Sequence, residues 1–167
     1  MNEHREQLHH SANQQRRTAL QERRSDPYHN EAKYAEPTMC PDCHAVYHQG
    51  RWQWSAPPAG AHAQRCPSCQ RAHDQYPAGF LSLSGPFLTE HHAEIMNLLR
   101  NVAERAKSEH PLKTIIAIEE KPDAVMISTA EIHLTRELGE AIQHAYKGDL
   151  DYHYNSGENL LRVNWVH

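Results

Sequence analysis

The sequence predicts an α+β chain in three parts: a disordered arm and linker over 1–37, a four-cysteine ribbon over 38–77, and a small α-β-β-α-β-β domain over 78–167. Three observations predict it. Residues 1–37 hold six Lys or Arg and six Asp or Glu with few large apolar side chains, too little to build a core. All four cysteines fall between 40 and 69, in two C-x-x-C pairs. Beyond residue 78 the apolar spacing alternates between the period of a helix and that of a strand.

The arm comes first. Arg16-Arg17 and Arg23-Arg24 lie a turn or two apart if residues 5–24 become helical. The composition predicts a solvated, mobile tail; the alternative reading is a tail that orders on a phosphate-rich surface. "SDPYHNEAKYAEP" then reads as an extended linker interrupted by Pro27 and Pro37.

The ribbon follows. "AVYHQGRWQW" predicts a hairpin around Gln49-Gly50, with Trp52 and Trp54 on one face by period two. "SAPPAGAHA" (55–63) reads as a loop from its Pro and Gly content.

In the last part "PAGFLSLSGP" reads as a connector. From about Phe87 to Ser108 a helix aligns Leu88, His92, Ile95, Leu99, Val102 and Ala106, and His110-Pro111 ends it. Residues 113–120 and 124–129 read as strands joined by a Lys-Pro-Asp turn. Ser128 and Glu131 form the S-x-x-E capping box of a second helix. That helix buries Leu134, Leu138, Ala141, Ile142 and Ala145 and stops at Gly148. Two strands close the chain, with Leu150, Tyr152 and Tyr154 on one face and Leu161, Val163 and Trp165 on the other strand's face.

Composition narrows the function. The chain of 167 residues is 38% hydrophobic with mean hydropathy −0.84 and net charge −4, so a nucleic-acid partner has to be met by a local patch. Fifteen histidines make the charge balance sensitive to pH near 6. No run of 18 apolar residues exists, and the polar N-terminus has no apolar signal core. Paired cysteines without an export signal point to a reducing, cytoplasmic setting and to metal ligation rather than disulfides.

The spacing C-x2-C-x22-C-x2-C places Cys40, Cys43, Cys66 and Cys69 as two thiolate-bearing turns. Pro41 and Pro67 shape those turns and leave amides free to bond sulfur. Four sulfurs complete a tetrahedron and suit one structural Zn²⁺; iron in a rubredoxin-type site satisfies the same ligands, so both metals stay open. A thioredoxin-like couple requires a βαβ context that is missing here. His44 or His48 entering the shell is a further alternative, although four thiolates already saturate it. A saturated shell leaves no place for a reacting water, so the metal's role is to hold together a module with little core.

Tyr47, Trp52 and Trp54 either pack beneath the hairpin or present a stacking face beside His48, Arg51 and Arg65. An indole next to a guanidinium suits unpaired bases with phosphates alongside. From Lys113 onward five Lys or Arg face nine Asp or Glu, a balance that suits a solvated face or a protein partner better than RNA.

"EPTMCPDCHAVYHQGRWQW", "YPAGFLSLSGPF", "STAEIHLTRELGEAIQHAYKGDLDYHYN" and "ENLLRVNWV" resemble a family of small bacterial zinc-ribbon proteins of unassigned function, over roughly residues 36–166. More distantly, the arrangement is similar to the N-terminal part of the archaeal and eukaryotic adaptor family that binds the large ribosomal subunit. The matching helix positions are Ser128, Thr129, Arg136, Leu138, Gly139, Ala141 and Ile142. The chain departs from that pattern at His44 and Gln70, where a glycine usually follows the second cysteine of each turn. The resemblance implies ribosome contact through the metal module.

The expected function is therefore a non-catalytic zinc-ribbon protein that binds ribosomal RNA, near tRNA-binding surfaces of the large subunit, in ribosome maturation, hibernation or stress protection. Its contact residues are Arg16, Arg17, Arg23, Arg24, Tyr47, His48, Arg51, Trp52, Trp54 and Arg65. The alternative is a protein-interaction adaptor without RNA contact. Motifs of the common enzyme classes are absent; His91-His92 or His44 with His48 holding a second, open metal is the remaining catalytic reading.

Overall fold

The computed structural model describes residues 26–28 and 34–167. The arm residues Arg16, Arg17, Arg23 and Arg24 lie outside the described residues.

The ribbon is built around four short strands, β1 (Thr38–Met39), β2 (Val46–His48), β3 (Arg51–Gln53) and β4 (His62–Ala63), in the order β3-β2-β1-β4. The expected hairpin is β2–β3, closed by His48 opposite Arg51. Gln49 and Gly50 both take positive φ, 52° and 76°, the pattern of a two-residue type I′ turn. The Glu36 carboxylate accepts both turn amides, from Gln49 at 2.9 Å and Gly50 at 3.0 Å. The stretch 55–63 is not loop throughout, because His62 and Ala63 pair in parallel with Thr38 and Met39. The second cysteine pair opens helix α1 (Pro67–His73).

The larger unit holds β5 (Gly79–Ser84), α2 (Pro86–Glu90), α3 (His92–Glu109), β6 (Ile115–Lys121), β7 (Ala124–Thr129), α4 (Ile132–Tyr146), β8 (Asp149–Asn155) and β9 (Leu160–Val166). Its five-stranded sheet runs β6-β7-β5-β9-β8, with β5 and β9 parallel and the other pairs antiparallel.

The expected α-β-β-α-β-β order is thus one strand short. The supposed connector "PAGFLSLSGP" supplies β5, the middle strand of the sheet. Gly79, Leu81 and Leu83 are buried, whereas Phe80, Ser82 and Ser84 on the other face are half-buried. Serine at the outward positions and glycine and proline at the ends disguised a regular alternation.

The first expected helix is two. Gly85 and Pro86 start α2, and His91 at φ −116° separates it from α3. The second helix begins later than the expected capping box implies, at Ile132: Ser128 and Thr129 still lie in β7, and Glu131 itself is the N-cap, accepting from His133 N at 3.0 Å and Leu134 N at 3.1 Å. Of its expected core positions Leu134, Leu138 and Ile142 are fully buried, but Ala141 is only half-buried and Ala145 is exposed. The larger apolar side chains occupy the contact, leaving these alanines on its flank.

α4 lies against β5, β7, β8 and β9 and also packs on α3. Two glycines permit this approach. A Cβ on Gly79 would stand 1.8 Å from Thr135 Oγ1, and one on Gly139 would stand 2.8 Å from Val163 Cγ1. The core beneath joins Leu81, Leu83, Ile95, Leu99, Ile127, Leu138 and Trp165. Trp165 is fully buried and donates its indole N–H to Lys147 O at 2.6 Å, meeting the need of a buried polar group.

Among the described residues, no helix is long and apolar enough to cross a membrane.

Candidate metal centre

Two different backbone devices aim the four sulfurs inward. In the first turn, Cys40 N donates to Ala45 O and His44 N to Cys40 O, both at 2.9 Å. His44 takes φ +65°, so it adopts the left-handed conformation that glycine more often supplies. In the second, Cys66 is the N-cap of α1, Pro67 takes the first helical position, and Cys69 N points at Cys66 Sγ at 3.4 Å. Gln70 lies inside that helix and needs no left-handed geometry.

The ligand atoms of Cys40, Cys43, Cys66 and Cys69 all lie within 4.8 Å of one another. Cys43 Sγ and Cys66 Sγ are 3.8 Å apart. A disulfide requires about 2.05 Å, and all four cysteines are free. A tetrahedron with metal–sulfur bonds of about 2.3 Å has edges of about 3.8 Å. The arrangement is a candidate four-sulfur metal site that joins two segments of the ribbon.

The electrostatics call for a cation. At Cys40, burial raises the thiol, but backbone N–H groups at Cys43, Cys66 and Asp42 outweigh it and hold the group below its ordinary value. Burial pushes Cys66 far up and Cys69 up to about 12, and repulsion from the other thiolates adds to both. Four thiolates at this separation cannot coexist without positive charge between them. Arg65 lies just outside and donates to Asp42 Oδ2 at 2.5 Å, tying one cysteine turn to the other. Neither His44 nor His48 joins the ligand group, and no second cluster of three potential ligands occurs among the described residues.

The remaining candidate residues separate into different environments. His48 and Arg51 are exposed, and His48 Nδ1 lies 3.6 Å from Glu36. Arg65 is committed to Asp42. Tyr47 and Trp52 are half-buried and pack together, with ring centroids 5.5 Å apart. Trp54 is 41% exposed, yet its indole N–H donates to Lys107 O. The two tryptophans therefore do different work: Trp52 is part of the ribbon's own packing, and Trp54 reaches across to the larger unit.

Several residues at this site carry no sequence signal. Tyr34, in the supposed linker, packs on Tyr47 at 4.9 Å and on Trp52 at 5.2 Å. Burial raises its phenol above the ordinary value. Arg71 is only 2% exposed; it contacts Asp26 at 2.5 Å, donates to Tyr76 O at 3.0 Å, and lies over the Tyr28 ring at 4.3 Å. Tyr28 in turn donates to Asp74 at 2.9 Å. Asp26 and Arg71 are 45 residues apart and Tyr28 and Asp74 are 46 apart, so only the fold brings these pairs together.

Set beside family models, curated proteins and solved structures, the chain matches none.

Proposed function

We propose that the chain is a non-catalytic, cytoplasmic zinc-ribbon protein that binds RNA on the ribosome, at the large subunit near tRNA-binding surfaces, in maturation, hibernation or stress protection. The observation that carries this reading is the four-cysteine cluster with Arg51, His48 and Trp54 exposed on the same small module. Zinc is the favoured ion because four thiolates in a closed tetrahedron suit a d¹⁰ cation with no open position, and that closure argues against chemistry at the metal. The module is a docking head. The arm, with Arg16, Arg17, Arg23 and Arg24, adds phosphate contacts in the same reading.

Sedimentation tests it. Tagged protein from growing and stationary cells should travel with ribosomal particles at low salt and leave them as salt rises, since each phosphate contact adds roughly one unit of logarithmic salt slope. Protein that stays at the top of the gradient in both states overturns the ribosome reading. A protein partner captured regardless of nuclease and salt favours the adaptor instead, with the acidic residues of the larger unit as its surface.

A further inference from the structure

An open cleft of about 660 Å³ lies between the ribbon and the larger unit. That volume falls within the range of roughly 300–1,000 Å³ typical of small-ligand pockets. On the ribbon side it is lined by Tyr34, Tyr47, Trp52 and Arg51; the larger unit contributes His110 and Lys113. We propose that this cleft seats one unpaired nucleotide, its base against the tyrosine and tryptophan rings and its phosphate at Arg51 and His110.

Three observations carry the assignment. First, the lining is aromatic: Tyr34, Tyr47 and Trp52 form one tilted cluster with centroids 4.9 to 5.5 Å apart. Rings held by each other give a stiff surface, and stacking on such a surface accepts any base. Second, the uncommitted charge in the cleft is cationic. Two carboxylates also line it, but Asp26 is held by Arg71, and Glu131 accepts the first amides of α4. Lys113 is paired with Glu137, whereas Arg51 and His110 have no side-chain partner among the described residues. An anionic group therefore finds its charge partner at Arg51, with the His110 ring beside it as a hydrogen-bonding group. Third, both units contribute, so occupancy senses their relative placement. The Trp54–Lys107 hydrogen bond holds them together beside the cleft.

The inference rests on the reading of the chain as an RNA binder and adds a specific seat to it. A nucleotide arrives either free or within a strand, so the test uses both. Full-length, metal-loaded protein is titrated with adenosine monophosphate and with a single-stranded RNA hexamer while the indole N–H signals of Trp52 and Trp54 are followed by NMR. The hexamer should shift Trp52. Arg51→Gln and Tyr34→Ala should each weaken that binding about tenfold or more, and Tyr34→Phe should retain it. Metal content checks that each variant keeps its fold, and Arg51→Gln, at an exposed position, provides the readout if Tyr34→Ala does not. Binding of the monophosphate as tightly as the hexamer supports the seat and points to a free nucleotide. Hexamer binding that leaves Trp52 unmoved, or is indifferent to Arg51→Gln, overturns the seat while the RNA reading stands. Absence of any binding by either probe overturns both.

Discussion

The indole N–H of Trp54 donates to the main-chain carbonyl of Lys107 at 2.7 Å, linking the end of the ribbon hairpin to the last turn of α3. A helix leaves its last four carbonyls without internal partners. Trp54 satisfies one of them from a residue 53 positions away in sequence. A ribbon that could have swung freely is thereby placed against the larger unit.

Trp54→Phe removes this donor and keeps most of the ring. It is expected to destabilise the chain by about 1 kcal/mol in denaturant unfolding, the ordinary net worth of a hydrogen bond. Amide exchange near Lys107 should quicken, while metal content stays at one ion per chain. Unchanged exchange there would show that the contact does not hold the units together.

The metal should support the ribbon more than the sheet. Cys43→Ser or chelation is expected to abolish metal binding and unfold the ribbon. The far-ultraviolet signal of α3, α4 and the five-stranded sheet should remain, because their core is independent of the cysteines. Loss of the entire signal in one step would contradict this.

pH dependence should differ in sign between the two forms. Without metal, burial and neighbouring thiolates move Cys69 from 9.0 to about 12, so the folded chain holds a proton that the unfolded chain releases. That stabilising contribution is complete below about pH 9 and is lost as pH rises toward 12. With metal the ligands are thiolates, and stability is lost instead as falling pH protonates them. Melting curves with and without metal across both ranges check the two signs.

The buried guanidinium of Arg71 offers another test. Asp26→Asn removes its carboxylate partner, held at 2.5 Å, while Arg71 stays 2% exposed. A loss of about 1.5–3 kcal/mol is expected, as for hydrogen bonds to charged groups. Asp26→Asn with Arg71→Met should lose less than the single change, since no unpaired buried charge remains. Additive losses would argue against coupling.

Helix packing provides the last. Gly139→Ala brings a methyl to within 2.8 Å of Val163 Cγ1. Overpacking of about 1–3 kcal/mol opposes a helix-propensity gain of about 1 kcal/mol. Net destabilisation is expected, and Gly139→Ala with Val163→Ala should cost less than the sum of the two single changes. Double-mutant unfolding measures the coupling.

The features legible beforehand are those written at short range. Cys40, Cys43, Cys66 and Cys69 declare a ligand set because a turn of two intervening residues suffices to aim two sulfurs. Leu134, Leu138 and Ile142 declare a helix face because their spacing matches its pitch. The Gln49-Gly50 turn shows itself by residues that tolerate positive φ. These elements follow from neighbours within a few residues, which the chain encodes directly.

Apart from the meeting of the two cysteine turns, what joins distant segments was decided by packing. Strand β5 became the middle of the sheet because Leu81 and Leu83 find partners in β7 and β9, and its own serines and glycine say nothing of that. Tyr34 closes the aromatic cluster, Asp26 neutralises Arg71, and Trp54 meets Lys107 only because the fold has already shortened the distance between them. The local pattern determines which elements form. Burial of shared apolar surface determines which of them meet, and that is a property of the whole chain rather than of any one stretch.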